Sequence, residues 1–126
     1  MVAHKHLPIW RDAQQLVTQL TVSTRKAPRD LRYTLVQQMI TEAVEACADI
    51  ADANRSTGQH RVDTIDQLQR RTARIDILLQ IATDQRCLSL GATAAAMKHL
   101  DAIGRQAHGW RHHTVSHGTP EPAPST

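Results

Sequence analysis

Apolar side chains recur at three- and four-residue spacing through four stretches of this chain, and that period admits little besides α-helix. The first stretch runs from about Ile9 to Arg25, with Ile9, Trp10, Ala13, Leu16, Val17 and Leu20 on one face. Pro8 suits a first helical turn, and Pro28 disfavours helix at Ala27. The second starts near Pro28 to Asp30 and reaches about Asn54. Its stripe is Leu31, Leu35, Val36, Met39, Ile40, Ala43, Cys47, Ile50 and Ala51, with Glu42, Glu45, Asp49 and Asp52 on the opposite side. A polar break from Asn54 to Gly58 ends it. The third, from about Arg61 to Asp84, carries a seam of Ile65, Leu68, Thr72, Ile75, Leu79 and Ala82. Ile77, Leu78 and Ile81 widen that seam, which predicts burial on two sides, within the domain or against another subunit. The fourth has Ser89 as its N-cap and runs to about His113, with Leu90, Ala94, Met97, Leu100, Ile103, Ala107 and Trp110 on one face. Gly91, Gly104 and Gly109 weaken this helix unless close packing offsets their cost.

Short connections make sequential helices antiparallel neighbours. The expected fold is all-α, an up-down-up-down four-helix bundle over residues 7–113. Residues 114–126 contain Pro120, Pro122 and Pro124 and little apolar content, so they are expected to form a disordered tail. Composition agrees with helix-on-helix packing: aromatic residues make up 2% of the 126 and Phe is absent. The core must therefore come from Leu, Ile, Val, Ala and Met.

Several chemistries are excluded. The chain has no Gly-rich phosphate loop, no HExxH and no Cys-His zinc spacing. No cofactor is expected, and no enzymatic role. His108 and His112, at i, i+4, share a helix face as a metal pair would, and His113 and His117 repeat the spacing across the expected helix end. Neither pair has an acidic or thiol ligand near it in sequence, so a solvated terminus accounts for them. Glu42, Glu45, Asp49 and Asp52 lack the Glu-x-x-His partners of a di-metal bundle. They read instead as a solvated acidic face, or one that meets Arg from a neighbouring subunit. No stretch approaches the roughly 20 apolar residues of a membrane span. Cys47 and Cys87 without a signal peptide point to a reducing compartment, the cytoplasm.

The net charge is only +3, but 12 of the 15 basic residues are Arg by count. Arg presents a planar fork of donors to phosphates and carboxylates; a coding bias towards Arg is the other explanation. Two clusters stand out. Arg25, Lys26, Arg29 and Arg32 lie around the first turn, and Arg55, Arg61, Arg70, Arg71 and Arg74 follow the second. Arg70, Arg71 and Arg74 form a compact patch whose self-repulsion a phosphate backbone or an acidic protein face would relieve. Pairing with Asp63, Asp66 and Asp76 on a solvated face is the alternative, and the lack of interleaved aromatics argues against base stacking.

Three motifs in order resemble a known family: IWRDAQQLV, then APRDLRYTLVQQM, then Ile50-Ala51-Asp52 closing the second helix. The chain is similar to the four-helix-bundle proteins encoded in ribosomal-RNA intervening sequences, and to their relatives, the Avd accessory proteins of diversity-generating retroelements. Ile103-Gly104 and Gly109-Trp110 resemble the Avd branch. The resemblance implies a homopentamer whose basic surface engages a reverse transcriptase together with RNA or cDNA; the candidate contacts in this chain, Arg70, Arg71, Arg74, Arg25, Lys26, Arg29 and Arg32, come from its two basic clusters, since Arg70 and Arg71 replace small residues usual in the family's third helix. An intervening-sequence-type structural bundle is the alternative.

Overall fold

The computed structural model describes residues 3–117. A 3₁₀ turn, Ala3–His6, leads into α1 (Pro8–Ser23). α2 is a composite helix: a first turn Arg29–Leu31, a π-helical turn Arg32–Val36, and Gln37–Arg55. α3 spans Gly58–Asp84 and α4 spans Leu90–His117. No strand occurs among the described residues.

The helices close a ring in which α1 packs on α2, α2 on α3, α3 on α4, and α4 back on α1. Paired side chains show the directions. Thr83 and Thr93 meet at 2.7 Å at one end of α3 and α4, and Arg111 reaches Asp66 at 2.7 Å towards the other. Positions therefore advance along one helix as they recede along its neighbour. Likewise Arg61 reaches the Ala53 carbonyl beside the α2–α3 connection, and Arg71 reaches Glu42 further along the pair.

The boundaries follow local chemistry. Ser89 caps α4 as expected, its Oγ accepting the Ala92 N–H at 3.1 Å. Gly58 opens α3 with φ +55°, a left-handed conformation that glycine adopts without a Cβ penalty. α3 therefore begins three residues before the expected Arg61. α4 continues past His113, where the tail was expected to begin. The Thr114 side chain is buried and its hydroxyl donates to the Trp110 carbonyl at 2.9 Å. The turn is thus held by core contact, which composition does not reveal. His113 and His117 consequently lie on one helix, their rings stacked at 4.1 Å, instead of across a helix end. The rest of the expected tail, 118–126, lies outside the described residues.

The core is aliphatic, as the composition required. Ile9, Ala13, Leu16 and Leu20 of α1 face Met39, Ala43, Ala46 and Ile50 of α2; Ile65, Leu68, Ile75 and Leu79 of α3 and Leu100, Ile103 and Ala107 of α4 complete it. Two phases differ from expectation. On α2, Ala46, Asp49 and Ala53 are buried where Cys47 and Ala51 were expected, because α2 is wedged between two helices and turns Asp49 towards α3. At the start of α4, Ala96 is buried while Leu90 and Ala94 are exposed. The widened face of α3 divides: Leu78 is buried, but Ile77 and Ile81 are 59% and 44% exposed. Close packing does not explain the glycines of α4, since a Cβ at Gly104 or Gly109 would meet nothing within 4 Å.

Candidate nucleic-acid interface

The seam Ile65, Leu68, Thr72, Ile75 and Leu79 points α3 inwards and thereby sets the directions of its arginines. Arg70 and Arg74 fall on the exposed side. Arg71 falls at the boundary with α2, where its Nε donates to Asp49 Oδ2 at 2.6 Å and its Nη1 to Glu42 Oε1 at 3.4 Å. Gln67 also donates to Asp49, at 3.0 Å. Burial pushes the Asp49 carboxyl above the usual carboxylate range, and the hydrogen bonds from Arg71 and Gln67 offset part of that rise.

Glu42, Gln67, Arg70, Arg71 and Arg74 line a cleft of about 160 Å³. The three arginines expected to act as one patch are therefore unequal: Arg71 is engaged within its own chain, and Arg70 and Arg74 face solvent. The carboxylates of Glu42 and Asp49, read from the sequence as a solvated face or one meeting another subunit, belong instead to this internal network. Among the described residues, the alternative, pairing of these arginines with Asp63, Asp66 and Asp76, does not form. Asp66 pairs with Arg111, while Asp63 and Asp76 accept hydrogen bonds from Gln59 and Gln80.

Arg61 leaves the second cluster altogether. It is 2% exposed, donates to the Ala53 and Asn54 carbonyls at 2.8 and 3.2 Å, and lies over the Trp110 ring. It caps the C-terminus of α2, where cations meet unsatisfied carbonyls and the negative end of the helix dipole. Arg55 pairs with Asp52 on the surface.

The first cluster gathers at the opposite end of the bundle. Thr24 and Ala27 are buried and pin the connection between α1 and α2. That leaves Arg25, Lys26, Arg29 and Arg32 exposed around it. Arg32 donates to the Ala27 carbonyl at 3.2 Å. Among the described residues, none of these four, nor Arg70 or Arg74, forms an ion pair.

Sequence reasoning assigned no role to two residues here. Arg86, in the α3–α4 turn with φ +62°, lines a cavity of about 520 Å³ that Lys26 also lines. Tyr33, on the π-helical turn, is 65% exposed and lines a second groove together with Arg25 and Arg32. Neither cavity was legible locally, because part of each lining, Ser23 and Lys26 beside Arg86 and Thr21 and Arg25 beside Tyr33, comes from the end of α1 and the connection after it. A polar network on the α1–α4 face was also unforeseen: Asp12 meets His99 Nδ1 at 3.1 Å and Gln106 Nε2 at 2.9 Å. The described residues bring no group of three or more His, Cys, Asp or Glu into metal-binding range. No helix among them is long and apolar enough to cross a membrane.

An aliphatic ring of four antiparallel helices, with cationic surface at one end and along α3, defines a small four-helix-bundle protein. The chain belongs to the bAvd-like family, whose model matches residues 1–114. The likeness to Avd accessory proteins read from the three motifs is borne out by that match. No curated protein matched the chain.

Proposed function

We propose that the chain is a non-catalytic accessory protein of a diversity-generating retroelement. It acts in the cytoplasm as a homo-oligomeric scaffold, a pentamer, that binds reverse transcriptase and nucleic acid and supports mutagenic copying of a template RNA. Family membership supports the retroelement context. The observation that carries nucleic-acid binding is the set of exposed cations with no carboxylate partner: Arg25, Lys26, Arg29 and Arg32 at one end, Arg70 and Arg74 on α3. Arg71 sits between the last two as a positioning residue that ties α3 to α2.

One subunit offers few charges, so tight binding on this reading requires assembly to multiply them. The exposed Ile77 and Ile81 supply apolar surface for that assembly. The test is the double variant Arg70→Gln/Arg74→Gln, which keeps helix propensity and spares the α2–α3 ion pair. Binding of labelled RNA is measured against salt, with light scattering in parallel. Wild-type protein should scatter well above its 14.0 kDa monomer mass. The variant should stay assembled, bind more weakly, and lose about 0.7 of log-log salt slope per single-strand phosphate contact removed. An unchanged slope would clear this patch and leave the end cluster to carry the role. Absence of salt-dependent binding in the wild type would sink the nucleic-acid part of the reading.

A further inference from the structure

The groove between the end of α1 and the start of α2 differs in its lining from four other cavities of the described surface. It measures about 390 Å³, with Val36 and Ile40 lining it as apolar surface and Arg25, Arg32 and Tyr33 as cationic and aromatic surface. Its remaining lining is threonine and glutamine, so no carboxylate enters it. Four other cavities on the described surface each include an acidic side chain: Asp84, Glu42, Asp76 with Asp101, and Asp12. Among the described residues, Arg25 and Tyr33 form no side-chain hydrogen bond or ion pair, and Arg32 spends one donor on the Ala27 carbonyl. Tyr33 is the single tyrosine of the sequence and is 65% exposed, an unusual place for a ring that contributes nothing to the core.

Local backbone geometry presents this arrangement. Arg32, Tyr33 and Val36 all belong to the π-helical turn Arg32–Val36. Single π turns inside α-helices are rare and recur at functional sites. An aromatic face flanked by guanidinium groups matches the chemistry of a single-stranded polynucleotide: bases stack on the ring, and phosphates meet the arginines. The volume lies in the range of small-molecule sites, which span roughly 300 to 1,000 Å³. A double helix keeps its bases stacked on one another and offers the ring nothing. The groove is therefore selective for unpaired strands, whereas the flank at Arg70 and Arg74 presents charge alone.

We infer that Tyr33, with Arg25 and Arg32, forms a base-stacking subsite that gives this protein a preference for single-stranded over duplex nucleic acid. The inference rests on the nucleic-acid part of the proposed function and names the form of strand bound.

The experiment uses the full chain and three labelled probes of equal length: unstructured oligouridylate, an abasic ribose-phosphate strand, and an RNA duplex. Fluorescence anisotropy compares wild type, Tyr33→Leu and Tyr33→Phe, with circular dichroism melts to show that each variant is folded. Tyr33→Leu should weaken oligouridylate binding about tenfold, the scale of one lost stacking contact. It should leave abasic-strand and duplex binding unchanged, and Tyr33→Phe should restore wild-type affinity. Equal losses on all three probes, or none on oligouridylate, would overturn the subsite. If the wild type binds all three probes with salt dependence but does not distinguish bases from abasic sugar, the subsite falls and the proposed function stands. If it binds no probe at any salt concentration, the subsite and the nucleic-acid part of the proposed function both fall. Loss of reverse-transcriptase capture by Tyr33→Leu with strand affinity intact would assign the groove to a protein partner and overturn the stacking reading.

Discussion

Arg71 of α3 donates its Nε to Asp49 of α2 across 2.6 Å, and the two side chains are 21% and 5% exposed. This contact joins two helices whose connection is only Ser56 and Thr57, and it withdraws one arginine from the cationic surface of α3. Asp49 has Arg71 and Gln67 as partners, so removing Arg71 leaves a desolvated carboxylate with one donor.

Asp49 and Arg71 should be strongly coupled. Asp49→Asn, Arg71→Gln and the double variant, compared by urea unfolding, should give a coupling energy of about 1 to 3 kcal/mol. The double change should cost less than the sum of the two single changes. Strict additivity would mean that the ion pair contributes nothing to the packing of α2 on α3.

Gly109→Ala should stabilise the bundle. Gly109 is exposed in the interior of α4, and an added Cβ meets nothing within 4 Å. Relief of the glycine helix penalty is about 1 kcal/mol, which raises the melting temperature by about 4 °C in a domain of this size. A fall in melting temperature, or loss of assembly, would place a neighbouring subunit against this face.

The thiol of Cys47 should respond to alkali. Burial pushes it up from 9.0 to about 11, with a partial offset from a backbone hydrogen bond. A folded-state value raised above the unfolded one contributes stability that is complete below the unfolded value and disappears as pH climbs through the folded value. The window is therefore pH 9 to 11. The stability advantage of wild type over Cys47→Ala, read from melts at intervals across that window, should shrink as pH rises. Alkylation of the folded protein at pH 8 should be slow at this position, because the nucleophile is the thiolate. Rapid alkylation, or a constant advantage, would show that Cys47 is more exposed to water than its half-buried position implies.

Much of the fold is legible along the chain because its causes are local. The spacing of Leu16, Leu20, Leu68, Ile75 and Leu79 places them on inward faces, and all are fully buried. Pro8 and Ser89 mark helix starts where they stand, through a preset φ and a capping hydroxyl that need no distant partner. The scarcity of aromatics required an aliphatic helical core, and the motif order pointed to the family.

Partner choice is a different matter. Arg61, Arg70 and Arg71 share a composition and a neighbourhood in sequence, yet one caps α2, one faces solvent and one pairs with α2 carboxylates. Which fate each meets depends on the rotation of α3 against α2, a quantity set by packing of the whole ring. Glu42 and Arg71 are 29 residues apart, and Asp12 and Gln106 are 94 apart. The groove at Tyr33 likewise exists only because the end of α1 and the connection that carries Arg25 fold beside the π-helical turn of α2. The sequence by itself determined the helices, their apolar faces and the chemistry available, since these rest on intervals of three and four residues. The tertiary structure alone decided which charges are spent inside the bundle and which remain for a partner, since that depends on side chains meeting across helices.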